Sequence, residues 1–551
     1  MCGFVGHLGD VDNSYNDNII QHRGPDSQYL YECDNIKVNF FRLAINGSEK
    51  DGRQPFVSDS NRYSVWCNGE IFNFRILAKK YSIKGINSCD ISVLPNLFEE
   101  IGISKVLCEI RGFFSMIIYD SFKKKIFLTV DHFGIKPLYY KIADNSFTFS
   151  SELRYFKKKN LSKAGLKNYF EVGSALYPNS LIENVFSVIP GELIEVEIEN
   201  FNNIIKEKYW DINLSQIGSR HIDLETIYKN LDTALERNSL SDYPIINLLS
   251  GGVDSTYLAT HGEGISNNIF FDFGKIKDDL ERNNISNLKD KIEIEIVKID
   301  YDFLSGFDEY ILSSDEPVYD FAGFVYYILM KNIKSKGSRV VWNGTGGDEL
   351  LFGYKRYNEL PRWKNFLGFL KNKQPLTNSY DFLKKGFCNK FDNEIFNIDS
   401  IKKNSFPNQK EYFRYIDFKY YLPNNLLRYT DRISSFHNIE SRVPFLDVDL
   451  IESIFYSNSI NKTVGEKSLL VNRILKKYPK LNFEFKEGLG LPIDKIISNK
   501  DLYKKIIPFI LNSNLLINYP ELEKFIFKSF KKRTNIWNIM GLYSICKWYE
   551  I

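Results

Sequence analysis

The chain has 551 residues, 43% of them apolar and 26% charged, with a net charge of +3. That is the balance of an ordinary soluble globular protein with room for two to four domains. So small a charge argues against nucleic acid or a membrane surface as the main partner, and no apolar run is long enough to span a bilayer.

The N-terminus, MCGFVGHLGD, lacks the basic and apolar regions of a signal peptide. Seven cysteines, an odd number without a CxxC pair, point to reduced cytoplasmic thiols rather than a disulfide framework or a zinc site. Cys2 follows the initiator methionine. With Met1 removed, the chain would begin with a thiol of ordinary pKa about 8.5 beside an amine of about 8, a base able to activate its own nucleophile. A lone cysteine near a terminus is more often incidental, so its company decides. HRGPDS (His22–Ser27), RLAIN (Arg42–Asn46), NGEIFN (Asn68–Asn73), SCDIS (Ser88–Ser92), DHFGIKPLYY (Asp131–Tyr140) and FSSEL (Phe149–Leu153) follow in order. Alternating segments between them, FFSMIIYD and KIFLTVD among others, predict antiparallel strands. IPGELIEV (Ile189–Val196) reads as the closing strand of a first domain, 2–196. The polar stretch Glu197–Ser219 reads as the connection to a second, 220–551.

Helical spacing from Leu224 to Leu235 leads into IINLLSGGVDSTYLA (Ile245–Ala259). Its apolar start predicts a buried parallel strand. Ser250, Gly251 and Gly252 turn the chain, and Asp254 and Ser255 open a helix, a ready anion site because backbone N–H groups and the helix dipole face outward. The pattern is not GxxxxGK[ST], and taken alone it is equally an ordinary turn. Further β-like runs follow in NIFFDFG, EIEIVKID and SRVVWNGTGGDELLFGY, separated by helical stretches, so a parallel sheet with crossover helices is expected. Asn343–Glu349 forms a second strand–glycine–acid–helix turn. Two such turns at one carboxyl edge would face one crevice, where Asp254 and Asp348 would share a Mg²⁺.

The first half resembles the class II glutamine amidotransferases, with at least six motifs in the family's order. The resemblance implies an N-terminal-nucleophile αββα sandwich in which Cys2 attacks the side-chain amide of glutamine. Asn68 and Gly69 would form the oxyanion hole. The RLAIN segment, Arg42, Leu43, Ala44, Ile45 and Asn46, would line the glutamine pocket, with Arg42 on the α-carboxylate and Glu70 and Asp90 on the α-ammonium. Ser92 and Val130 depart from the family's acid and arginine. The second half resembles the Rossmann-like ATP-pyrophosphatase domain of glutamine-hydrolysing asparagine synthetase, with a helical C-terminal part. The match rests on SGGVDS, DEPVYD (Asp315–Asp320), GGDELLFGY, the long helical signature Tyr421–Asp447, GEKSLL (Gly465–Leu470) and FKEGLGLP (Phe485–Pro492). It implies ATP held by Leu248, Ser250, Gly251, Gly252, Asp254, Ser255, Phe273, Asn343 and Gly344, with Lys467 on the phosphates. Asp431, Arg432, Glu440 and Arg442 are expected in an internal ion-pair network or in catalysis. Thr345 stands where asparagine synthetases commonly carry a catalytic acid.

The expected activity is glutamine- and ATP-dependent conversion of aspartate to asparagine through an acyl-adenylate, releasing AMP and pyrophosphate. Two alternatives stand beside it: the same chemistry on another carboxylate such as a uronic-acid sugar, and a non-catalytic glutamine- or nucleotide-binding homologue. Retention of Cys2, Asn68, Gly69, Asp254 and Asp348 favours catalysis. Partners are small molecules, with no nucleic acid and no membrane, and a homodimer stays open.

Overall fold

The computed structural model describes residues 2–9, 15–33, 35–143, 145–156, 160–274, 279–299, 306–354, 357, 405–459, 467–483, 502–519 and 536–551. The motif at 485–492 and the first two residues of the motif at 465–470 lie outside them.

Among the described residues, twelve strands build the first half: β1 Gly3–Gly9, β2 Ser27–Cys33, β3 Ile36–Arg42, β4 Phe56–Val57, β5 Tyr63–Ile71, β6 Gly112–Asp120, β7 Lys125–Val130, β8 Tyr139–Ala143, β9 Ser146–Ser150, β10 Val185–Ser187, β11 Glu192–Glu197 and β12 Asn200–Lys208. They form two six-stranded sheets, in the orders β10-β8-β9-β1-β3-β2 and β12-β11-β7-β6-β5-β4. Phe4, Leu8, Val38 and Phe40 of one sheet meet Trp66, Ile117, Leu128 and Ile194 of the other in a fully buried seam. Helices Phe74–Lys80, Leu94–Ile101 and Ile103–Glu109 cover the outer face of the second sheet. Val5, Phe41 and Tyr139 of the first sheet pack with helix Lys163–Val172 and with residues of the second half. This is the αββα sandwich.

The closing strand differs from the sequence expectation. β12 pairs antiparallel with β11 and forms the sheet edge, so part of the expected connection belongs to the sandwich. Asn200–Lys208, NFNNIIKEK, is exposed along most of its length, and an edge strand wet on its flanks carries little apolar alternation to read.

The second half holds a five-stranded parallel sheet in the order β15-β14-β13-β16-β17, with β13 Ile245–Leu249, β14 Ile265–Asp272, β15 Ile294–Lys298, β16 Val340–Trp342 and β17 Glu440–Arg442. Every residue of β13 is buried, as its apolar run requires. From β13 the chain winds outward through β14 and β15, then returns to β16 on the other side. The strand order therefore reverses between β13 and β16, where such sheets open a crevice. β17 is a second correction. It lies inside the signature read as helical, whose helix Leu427–Phe436 ends before it.

Candidate active sites

Cys2 sits at the entrance to β1, between the two sheets. Its backbone N–H donates to Asn68 Oδ1 at 3.0 Å, and its Sγ lies 3.8 Å from the Leu43 carbonyl. Burial pushes the thiol above its ordinary value. Gly69 follows Asn68 on β5, where a Cβ would stand 2.0 Å from the Phe113 carbonyl oxygen on β6. Only glycine fits there. Arg42, at the end of β3, is buried and donates to the Asn46 and Gly47 carbonyls at 3.1 Å each, which folds the 42–47 segment around its guanidinium. Asn46 donates to Glu70 at 2.5 Å, and Asp90 accepts from the Ile71 N–H at 2.5 Å. Burial raises both acids, Asp90 to about 6; the charges of Asp90 and Glu440 add to the rise of Glu70, and that of Glu440 to the rise of Asp90. Two buried carboxyls reluctant to ionise make a place that a cation would stabilise. Ala44 donates to Asp26, which pairs with Arg339 of the second half. The predicted residues Cys2, Arg42, Leu43, Ala44, Ile45, Asn46, Asn68, Gly69, Glu70 and Asp90 thus come from four neighbouring strands and loops.

In the second half, the two glycine turns touch. After β13, Ser255 Oγ accepts from the Ser250 N–H at 3.0 Å, and Ser250 Oγ accepts from the Gly252 N–H at 3.3 Å. Gly251 takes φ +83°, where a Cβ would meet the Glu281 carbonyl at 2.7 Å. After β16, Asn343 Oδ1 accepts from the Thr345 N–H at 2.9 Å, and its Nδ2 donates to Ser441 on β17 at 2.7 Å. A Cβ on Gly344 would come within 2.8 Å of Asp254 Cβ, and one on Gly347 within 2.6 Å of Asp254 Oδ1. Glycine is what lets the second turn close over the first.

A cavity of about 220 Å³ opens at this junction. Of the residues singled out from the sequence, Leu248, Ser250, Gly252, Asp254, Ser255, Phe273, Asn343, Gly344, Thr345 and Asp348 line it. Gly251 supports the turn behind it and donates no wall. Lys467 stands at the acid pair, its ammonium bonded to both Asp254 and Asp348. Burial opposes its charge, but the two carboxylates outweigh that and hold the proton above the ordinary lysine value. Lys467 adopts φ 52° as N-cap of helix Ser468–Lys477, a left-handed conformation rare outside glycine and met at functional sites. One cation reaches both acids, so they converge on a single point, and hard carboxylate oxygens are the donors that Mg²⁺ takes. The residues fit that ion.

The rest of the lining includes Glu349, which belongs to the second glycine turn read from the sequence, and Asp320, Tyr354, Tyr421, Tyr429 and Thr430, which were not anticipated; Tyr421, Tyr429 and Thr430 make a helical wall. Leu426, Tyr429 and Thr430 repeat at i, i+3 and i+4, the one-face spacing that marks them in the sequence. Burial and then Asp348 push Glu349 up to about 7.

Between the sites runs a buried chain of charge. Arg23 donates to the Cys2 carbonyl at 3.1 Å, to Glu152 at 3.0 Å and to Asp431 at 2.8 Å. Lys136 reaches Asp431 at 3.1 Å. Arg428 pairs with Glu316 at 2.6 Å, Arg432 with Asp315 at 3.4 Å and Arg442 with Glu440 at 2.8 Å. The expected ion-pair network is present, and it ties the halves together.

Residues 1–210 match the family model for the glutamine amidotransferase domain, and residues 226–472 that for asparagine synthase. The chain is 25% identical over 517 residues to a glutamine-hydrolyzing asparagine synthetase of Bacillus subtilis, covering 81% of this chain and 79% of that one. With the glutamine-hydrolyzing asparagine synthetase of Mus musculus it shares 27% over 405 residues, 66% of this chain and 68% of the other. With amidase chyE of Penicillium rubens it shares 24% over 373 residues, 62% and 54%.

Proposed function

Because the chain belongs to the family of glutamine-hydrolysing asparagine synthetases, ligases that use glutamine as amide donor, we propose that it moves the amide nitrogen of glutamine onto a carboxylate activated by ATP. Cys2 attacks the side-chain amide carbon of glutamine. The Asn68 amide and the Gly69 N–H stabilise the oxyanion, the C–N bond breaks, and ammonia leaves. Water then releases glutamate from the thioester. Arg42 holds the α-carboxylate of glutamine, and Glu70 and Asp90 hold its ammonium, a cation that draws the two buried acids toward their ionised form.

In the second site an acceptor carboxylate oxygen attacks the α-phosphorus of ATP and pyrophosphate leaves. Ammonia attacks the carbonyl of the acyl-adenylate, AMP departs, and one proton is lost. The Ser250–Ser255 turn receives the phosphates, Leu248, Phe273, Asn343 and Gly344 enclose the adenosine, and Lys467 contributes a point charge. Asp254 and Asp348 would hold a Mg²⁺, which would supply charge neutralisation at the triphosphate. A cytoplasmic setting belongs to the same proposal.

The observation that supports this reading most is the meeting of both glycine turns on Asp254 at one cavity. The stretch around Arg428–Asp447 is close to the asparagine synthetase pattern and, read as sequence, on that ground favours aspartate as acceptor. Arg428, Asp431, Arg432, Glu440 and Arg442 of that signature engage in buried ion pairs, so it speaks for packing rather than for an acceptor. The test is pyrophosphate release by the full chain with glutamine, ATP, Mg²⁺ and a panel of carboxylates including aspartate. Release that requires one carboxylate is expected. Glutamine hydrolysis without any carboxylate-dependent release would sink the ligase reading.

A further inference from the structure

We infer that the glutamine pocket of the first half is held in shape by the second half, with Arg339 and Asp242 as its positioning residues. This rests on the glutamine reading above and adds to it two residues from outside the glutaminase half.

Residues 43–47 lie between β3 and β4 and have no strand ladder of their own. Their shape must come from other partners. Leu43 and Ile45 are each 3% exposed and belong to the same buried apolar cluster as Leu231, Leu235, Ile245 and Val340 of the second half. Two backbone donors of the segment go to carboxylates. Ala44 N–H donates to Asp26 at 2.8 Å, and Gly47 N–H donates to Asp242 of the second half at 2.9 Å.

Arg339 closes the clamp. Both arms of its guanidinium donate to the Asp26 carboxylate, Nη2 to Oδ1 at 3.1 Å, and Nη1 also donates to the Ala44 carbonyl at 3.2 Å. Such a fork fixes direction as well as distance. Burial works against the Asp26 charge, yet the Arg339 fork and the Ala44 N–H hold that carboxyl below its ordinary value. The guanidinium also lies 4.8 Å from the ring centroid of Tyr243, the neighbour of Asp242. The turn that carries Asp242 is braced in its own right. Ser241 Oγ accepts from the Tyr243 N–H at 3.0 Å, and Arg442 donates to the Leu240 carbonyl at 2.7 Å. Arg339 immediately precedes β16 and Asp242 stands just before β13, and these strands run parallel with Ile245 beside Val340. The amino edge of the sheet therefore grips the glutamine segment, while its carboxyl edge carries the two glycine turns.

What the clamp sets is the place of Arg42. The Asn46 and Gly47 carbonyls occupy its Nη2. Its Nη1 is buried and has no hydrogen-bond partner among the described residues. That nitrogen is the donor left for a carboxylate, and a buried donor is costly to leave unmatched. Its position follows the two carbonyls, and these follow Ala44 and Gly47, which Asp26, Arg339 and Asp242 hold.

The test is glutamate release from glutamine by the full chain, with ATP binding measured by calorimetry on the same proteins. Arg339→Ala should raise the KM for glutamine at least about 10-fold with a smaller change in kcat, the scale of a lost hydrogen bond to a charged group, and should still bind ATP. Asp242→Ala should raise that KM about 3-fold, the scale of one neutral hydrogen bond. Asp242→Asn, which keeps an oxygen for the Gly47 N–H, should match the parent. Arg339→Ala with a parental KM, or with kcat lowered at a parental KM, overturns the inference. Loss of ATP binding in Arg339→Ala would mean that the damage spreads through β16, and the Asp242 pair then decides: an equal KM in Asp242→Ala and Asp242→Asn overturns the inference. A parent that releases no glutamate overturns the glutamine reading itself and this inference with it.

Discussion

Cys2 and His132 show at the scale of single residues how burial sets chemistry. The Cys2 thiol is raised by burial, so it needs a base at the moment of attack, which a liberated α-amine would provide. Cys2→Ala is expected to abolish glutamine hydrolysis and glutamine-driven amide formation while amide formation from added ammonia survives. Loss of the ammonia-driven reaction in folded protein would contradict the division into two sites. His132 lies among Phe114, Phe133, Tyr209 and Trp210, and neither ring nitrogen has a hydrogen-bond partner among the described residues. Burial pushes it down to about 3. Unfolded, it binds a proton below about 6.5. Between those values the unfolded chain holds the extra proton, so this group costs stability as pH falls through the window. His132→Phe should lose less stability between pH 7 and pH 4 than the parent, read from urea midpoints. Parallel pH curves for both proteins would refute it.

Among the elements, the two glycine turns carry the most. Gly347→Ala would force its Cβ against Asp254 Oδ1, 2.6 Å away, displacing the acid that both turns share. Pyrophosphate release should fall at least about 10-fold, the scale of a small misplacement in an active site, while glutamine hydrolysis persists. Near-parental release would mean that Asp254 moves without consequence. These turns were legible because the same strand–glycine–acid–helix pattern occurs twice, and β13 stood out because both its faces are buried. β17 was not legible. It has three residues, Glu440–Arg442, too few for any period, and two are charged. They are buried because Arg442 pairs with Glu440 and donates to the Asn238 and Leu240 carbonyls, partners distant in sequence. β12 escaped for the opposite reason, its exposure. The helical wall escaped because Tyr429 and Thr430 resemble core and surface residues until Asp320 and Glu349 are brought opposite them.

For the whole molecule, Asp431 is the joint. It meets Arg23 and Lys136 from the first half, and all three side chains are buried. Asp431→Asn should destabilise the protein by about 3–5 kcal/mol, the usual cost of leaving buried charge unmatched, and a denaturant midpoint will show it. A shift below about 1 kcal/mol would place Asp431 among ordinary surface pairs. Arg23 also holds the Cys2 carbonyl at 3.1 Å, so glutamine hydrolysis should weaken in the same variant. The same joint restricts how this protein can be cut or recombined. A first half expressed alone would expose Arg23 and Lys136 without Asp431, leaving Arg23 its bond to Glu152. A first half borrowed from a relative would dock only if it brought both cations to the same places. Whoever builds such a chimera must transplant three residues from three distant parts of the chain as one unit, since the boundary that matters runs through side chains rather than through the linker.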